Sequence, residues 1–145
     1  MKHVHELLGV AVLAGNGFAA AWGIGAWLRG SASVLFWPIL RAAQAITAVA
    51  VVTGAVRLAG GHKPPDGLHY VYGIAPLVVS LVAEAMRIGA AKVELEGLDD
   101  ADALARPEQL ALARRIVIRE MGIMTIACLL IVTLALRAAQ SGGLF

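Results

Sequence analysis

Apolar positions fall into four long runs separated by short polar stretches. No Asp, Glu, Lys or Arg lies between Glu6 and Arg29. The second run, Val34–Val56, holds Pro38, Arg41 and Gln44. The third, His69–Ile88, is uncharged up to Glu84, and the fourth, Ile116–Leu136, is uncharged from Met121 onward. A bilayer core takes ~20 mostly apolar helical residues to cross. Lipid offers no hydrogen bonds to the backbone, so spanning segments of this kind must be helices. The pattern predicts an all-α fold: a four-helix transmembrane bundle, up-down-up-down, forming one integral membrane domain over residues 1–145. The spans are expected at about residues 4–28, 34–56, 69–88 and 116–136. An even number of spans puts both termini on one side.

The N-terminal run has features of a cleaved leader: Lys2, the apolar stretch Leu7–Ala14, and the small residues Ala19-Ala20-Ala21. Apolar character continues through Trp22–Leu28, so the segment is expected to stay as a span. Leu28–Ser33 is short enough to make spans 1 and 2 antiparallel neighbours, and Gly60–Gly67 is a dense cluster of turn residues. The connector at residues 92–106 is acidic, carrying Glu94, Glu96, Asp99, Asp100 and Asp102, and reads as a solvated loop. Pro107 suits the first position of a helix and Glu108 its first turn. That helix is expected to run straight into span 4 and protrude into the cytoplasm.

Composition agrees with the pattern. The chain is 59% hydrophobic and 15% charged, with a mean hydropathy of +0.78, against about 45–50% and 25% for soluble domains. An ordinary soluble enzyme, a disordered tail and a nucleic-acid binder are excluded. The single cysteine, Cys128, excludes a disulfide framework and a cysteine-rich zinc site. Charge then supplies orientation. Arg29, Arg41, Arg87, Lys92, Arg106, Arg114, Arg115 and Arg119 lie toward one side, and only Lys2, Arg57, Lys63 and Arg137 toward the other. The richer side is expected to be cytoplasmic, which makes the chain a multi-pass cell-membrane protein with both termini extracytoplasmic.

Residues that lipid makes costly are the candidates for chemistry or contact. Span 1 carries small residues at four-residue spacing: Ala11, Gly15, Ala19 and Gly23. Such a ridge lets helices approach closely, within this bundle or against another subunit. Spans 2 and 4 are richer in Val, Ile and Leu and are expected to face lipid. Arg41, Glu84, Arg87, Arg119 and Glu120 all fall at the cytoplasmic end and can form one charge cluster. Its readings are a structural pin, an anionic-lipid site, a proton or quinone site, or a partner contact. The four histidines, His3, His5, His62 and His69, fall at the opposite end. His5 and His69 open spans 1 and 3 at similar depth. Three readings stay open for them: interfacial imidazoles, axial ligands of a haem with Gly9 and Gly73 leaving room, or a zinc or copper site shared with His3 and His62. No metal-ligand spacing marks a metal site. Helix 3 has a polar and small stripe through Tyr72, Gly73, Pro76, Ser80 and Glu84, and with Asn16 it predicts one continuous polar seam.

Within Arg41–Arg87, the residues Gln44, Gly54, Gly60-Gly61, Pro64-Pro65, His69 and Gly73 resemble the helix–loop–helix of haem A synthase and related b-type membrane cytochromes. The resemblance implies haem b as cofactor and carries over only His69 as a ligand. The stretches "LHYVYG", "AEAMRIGAA" and "RIVIREMG" resemble uncharacterised small four-span membrane proteins of actinobacterial type, over nearly the whole chain.

No nucleophile–base pair or phosphate loop stands out. The leading expectation is a non-catalytic membrane protein, an accessory or interaction subunit of a membrane complex such as a respiratory one. Its partners would be the lipid bilayer and another membrane subunit or a second copy, with no nucleic acid. The alternatives are a bis-histidine haem protein using His5 and His69, and an oligomeric solute or lipid transporter using the polar seam.

Overall fold

In a computed structural model, residues 2–64, 66–96, 98 and 103–142 are described. They form four helices: α1 Lys2–Leu28, α2 Phe36–Ala59, α3 Leu68–Leu95 and α4 Arg106–Ser141. The fold is the all-α four-helix bundle, and all four helices are long and apolar enough to cross a membrane. Large apolar side chains such as Leu7 and Leu81 point outward, 70% and 63% exposed, as lipid-facing residues do and soluble surfaces avoid.

The turns follow from two glycines. Gly30, at φ +56°, closes α1: Ser31 N–H donates to Ala26 O at 3.0 Å and Gly30 N–H to Trp27 O at 2.8 Å. Gly61, at φ +83°, closes α2 in the same way, through His62 to Arg57 O and Gly61 to Leu58 O. This left-handed closure answers orphan carbonyls and suits residues with no Cβ. Asp66 Oδ1 then accepts the Leu68 N–H to start α3. Pro38 sits in the first turn of α2, where it removes no helical hydrogen bond.

α4 is the organising element. It packs against α1 and α3, α1 also packs against α2, and the α2–α3 seam is the loosest of the four. Met121, Gly122, Met124, Thr125, Ala127, Cys128 and Ile131 of α4 are all buried. The expectation that helices 2 and 4 both face lipid therefore holds for α2 and is corrected for α4, whose spanning part is the most buried of the four. Richness in Val, Ile and Leu does not separate a core helix from a lipid-facing one, since lipid tails are as apolar as leucine.

The small-residue ridge lies inside this bundle. A Cβ on Gly15 would stand 3.6 Å from Ala43 of α2, Ala19 is fully buried, and Gly23 fits between Phe36 and Thr125 of α4. Ala11, at the outer end of the ridge, is only partly buried.

Two boundaries differ from expectation. α3 continues to Leu95, so residues 92–95 of the expected connector are helical; Asp99, Asp100 and Asp102 lie outside the described residues. α4 begins at Arg106 with Pro107 in its first turn, and Glu108 Oε2 accepts the Ala105 N–H. At 1.5 Å per residue its 36 residues extend about 54 Å, well beyond a bilayer core. The α1–α2 turn leans on this shaft: Arg114 Nη2 donates to Gly30 O at 2.6 Å and Ser33 N–H to Met121 Sδ at 3.4 Å.

A methyl group on Gly23 would land on Thr125 Oγ1 and stand 2.8 Å from Phe36 Cε2. Gly23→Ala is expected to cost about 1–3 kcal/mol by overpacking and to lower the melting temperature in detergent. Gly17→Ala, where nothing lies within 4 Å, is expected to leave it unchanged or raise it.

Candidate functional site

The antiparallel topology sends the early part of α2, the late part of α3 and the middle of α4 to one end of the bundle. There Glu84 accepts from three side chains. Arg41 donates through Nη1 at 2.5 Å and Nη2 at 3.4 Å, Gln44 Nε2 at 2.9 Å, and Arg87 Nε at 3.0 Å. Gln44 also donates to Ser80 Oγ at 3.2 Å. Arg87 reaches on to Glu120 Oε2 at 3.4 Å, and its guanidinium lies 5.4 Å from the Trp37 ring centre. The network ties α2, α3 and α4 together across the loose α2–α3 seam.

Of the five charges expected to cluster, Arg41, Glu84, Arg87 and Glu120 meet. Arg119 does not join them. It donates to Glu94 at 2.9 Å, beside Arg115 at 3.6 Å from the same carboxyl group. Arg119 is next to Glu120 in sequence and so points about 100° away round the helix. Glu94 is within reach because α3 runs on past residue 88. Gln44 and Ser80 were visible as polar interruptions of apolar runs. Trp37 carries no such signal; only helix rotation brings it to Arg87.

One level further in, Asn16 Nδ2 donates to Val12 O at 2.9 Å and to Thr47 Oγ1 at 3.2 Å. Asn16 is fully buried, and its Oδ1 has no hydrogen-bond partner. The polar seam stops there. Asn16 to His5 on α1, and Ser80 to His69 on α3, are each three turns apart, about 16 Å. Buried Val12, Pro76 and Ile131 occupy this intervening zone. The expected continuous seam is corrected to two polar regions separated by apolar packing.

At the far end the histidines of α1 and α3 meet. The His5 and His69 ring centres are 6.1 Å apart with planes at 72°. His69 Nδ1 lies 2.8 Å from Ala138 O. A carbonyl only accepts, so Nδ1 carries a proton, and in the neutral ring Nε2 is the lone pair. His5 Nδ1 is buried without a partner. Glycines let both rings lie close to backbone: a Cβ on Gly54 would stand 3.2 Å from His5 Cε1, and one on Gly142 2.9 Å from His69 Cε1. His3 pairs instead with Glu6 at 3.4 Å, and His62 lies beside Gly60 in the turn after α2. Among the described residues no three His, Cys, Asp or Glu side chains gather as metal ligands.

A haem with these two axial ligands needs its macrocycle between the rings. The backbones of α2 at Gly54 and of α4 at Ala138 and Gly142 press against the edges of these imidazoles, where the flat ring of a macrocycle would have to extend. Gly9 and Gly73, expected to give it room, border open space on the flanks. The pair as arranged does not fit a macrocycle, and no chemistry is derived from one.

The chain matches no family model, no curated protein and no solved structure.

Glu84→Gln leaves Arg41 and Arg87 without their shared anion, at a site about three-quarters buried. It is expected to cost about 1–3 kcal/mol, the range for hydrogen bonds to charged groups. Arg119→Ala, whose side chain is 47% exposed, is expected to cost under about 1 kcal/mol. Denaturation in detergent followed by circular dichroism measures both; equal losses would contradict the partition of the two ion-pair groups.

Proposed function

We propose that this chain is a small non-catalytic subunit of a larger membrane assembly, docked through the face where α2 meets α3. The observation that supports this is Arg41. Its side chain is 51% exposed beside the loosest seam of the bundle. Among the described residues only its two terminal nitrogens are used, on Gln44 and Glu84. A guanidinium has five N–H donors, and lipid tails answer none of them. An acceptor on a neighbouring subunit, desolvated at that seam, would.

The rest of the charge network favours a structural part over turnover. Glu84 takes four donor contacts from three side chains, which holds it as an anion and leaves it poorly placed to pass protons or release a solute. The interrupted seam likewise gives the transporter reading no support. The excess of arginine and lysine at the Arg41 end supports a cytoplasmic position for it, with both termini outside.

The experiment is photo-crosslinking from position 45 or 49 of α2 in native membranes, followed by purification in a gentle detergent. The expected result is one defined crosslinked partner, lost in Arg41→Glu and kept in Leu7→Ala, an exposed position of α1. A chain that crosslinks only to lipid, or identically with and without Arg41, overturns the proposal, and so does a Soret band in the purified protein.

A further inference from the structure

We infer that His5 and His69 form a two-ligand site for a monovalent d10 metal ion of the copper(I) class, at the end of the bundle opposite the charge network. The site does not depend on the docking face proposed above.

The donors are prepared for a cation. The carbonyl of Ala138 holds the proton on His69 Nδ1, leaving Nε2 as a bare lone pair. A hydrogen bond of this kind fixes ring orientation and tautomer in metal-ligating histidines. His5 contributes Nδ1, which is buried and has no partner. An unanswered buried nitrogen is costly in an apolar bundle, and a bound ion would answer it. The rings come from different helices, α1 and α3, so neither follows merely from the other's place in the sequence.

The spacing suits one small ion. With metal–nitrogen bonds of about 2.0–2.1 Å and each ring nitrogen about 1.2 Å from its centre, a shared ion sets the ring centres about 5.2 Å apart at a tetrahedral angle and about 6.4 Å apart on a line. The observed 6.1 Å lies nearer the line. Structural zinc takes four ligands in a tetrahedron, and no third His, Cys, Asp or Glu joins this pair among the described residues. Imidazole suits copper, and the monovalent d10 ion is satisfied by two nitrogens in a near-linear arrangement. Arg57 on α2 and Glu6 on α1 are charged groups close enough to act on His5. Arg57 opposes a cation at this site and Glu6 favours it.

The test uses the full chain in detergent under anaerobic, reducing conditions, with copper(I) supplied as its bicinchoninate complex. One copper(I) per chain is expected to be retained against the chelator. His5→Ala and His69→Ala are expected to abolish retention, and the double variant His3→Ala, His62→Ala to keep it. Circular dichroism of each variant separates loss of the site from loss of the fold. Arg57→Gln leaves the ligands in place and is expected to tighten binding several-fold by removing a like charge. No retention by the unaltered chain overturns the inference. So do retention that survives loss of both His5 and His69, uptake of zinc(II) in place of copper(I), and an affinity indifferent to Arg57.

Discussion

The Glu84 carboxylate answers the problem that lipid sets for this chain. A hydrocarbon slab provides no hydrogen bonds and little screening, so an ionisable group within a span must be met by the protein itself. Glu84 receives Arg41 and Gln44 from α2 and Arg87 from its own helix, and Arg87 extends the chain of contacts to Glu120 of α4. This matters most at α2, whose seam with α3 is the loosest of the four packed pairs and which buries the least of its spanning length. Apolar packing alone gives α2 little reason to stay beside α3, because lipid is an equally good apolar neighbour. The shared carboxylate supplies a directional reason.

Packing in the remainder of the bundle works by shape. α1 approaches α2 through Gly15 against Ala43 and α4 through Gly23 against Thr125. The Gly23 contact needs the absence of a side chain, the Gly15 contact leaves room for no more than a methyl group, and both lie on one ridge of a single helix. α4 receives α1 on one side and α3 on the other, which explains why its middle carries small or flexible buried residues, Gly122, Ala127, Met121 and Met124. The two ends of the molecule thus differ in chemistry: an ion-pair network centred on Glu84 at one, two incompletely partnered imidazoles at the other, with Val12, Pro76 and Ile131 packed between.

Much of this was legible in the residues, and the failures have physical causes. The helices follow from uncharged runs too long for anything else. The Gly15–Gly23 ridge follows from four-residue spacing, and the meeting of His5 with His69 from two spans that begin on the same face and run parallel. Rotation about the helix axis was not legible. Arg119 and Glu120 are adjacent in sequence and belong to separate ion-pair groups, and Trp37 looks like any apolar residue until it faces Arg87. The lipid-facing assignment of α4 failed because composition measures apolarity, not what the apolar face touches. The continuous seam failed because a helical stripe records direction, not whether the levels between polar residues are filled by Val12 and Ile131.

The account rests on the helices crossing a bilayer so that the Gly30 turn and the Gly61 turn lie on opposite surfaces. Cysteine accessibility measures this directly, because the native Cys128 is 1% exposed and will not react. Single cysteines at Ser31 and at Lys63, probed in intact cells with a membrane-impermeant maleimide, are predicted to give label at position 63 only, with position 31 reacting once the cells are opened. Equal labelling of both positions in intact cells would contradict the crossing, and label at position 31 alone would reverse its direction.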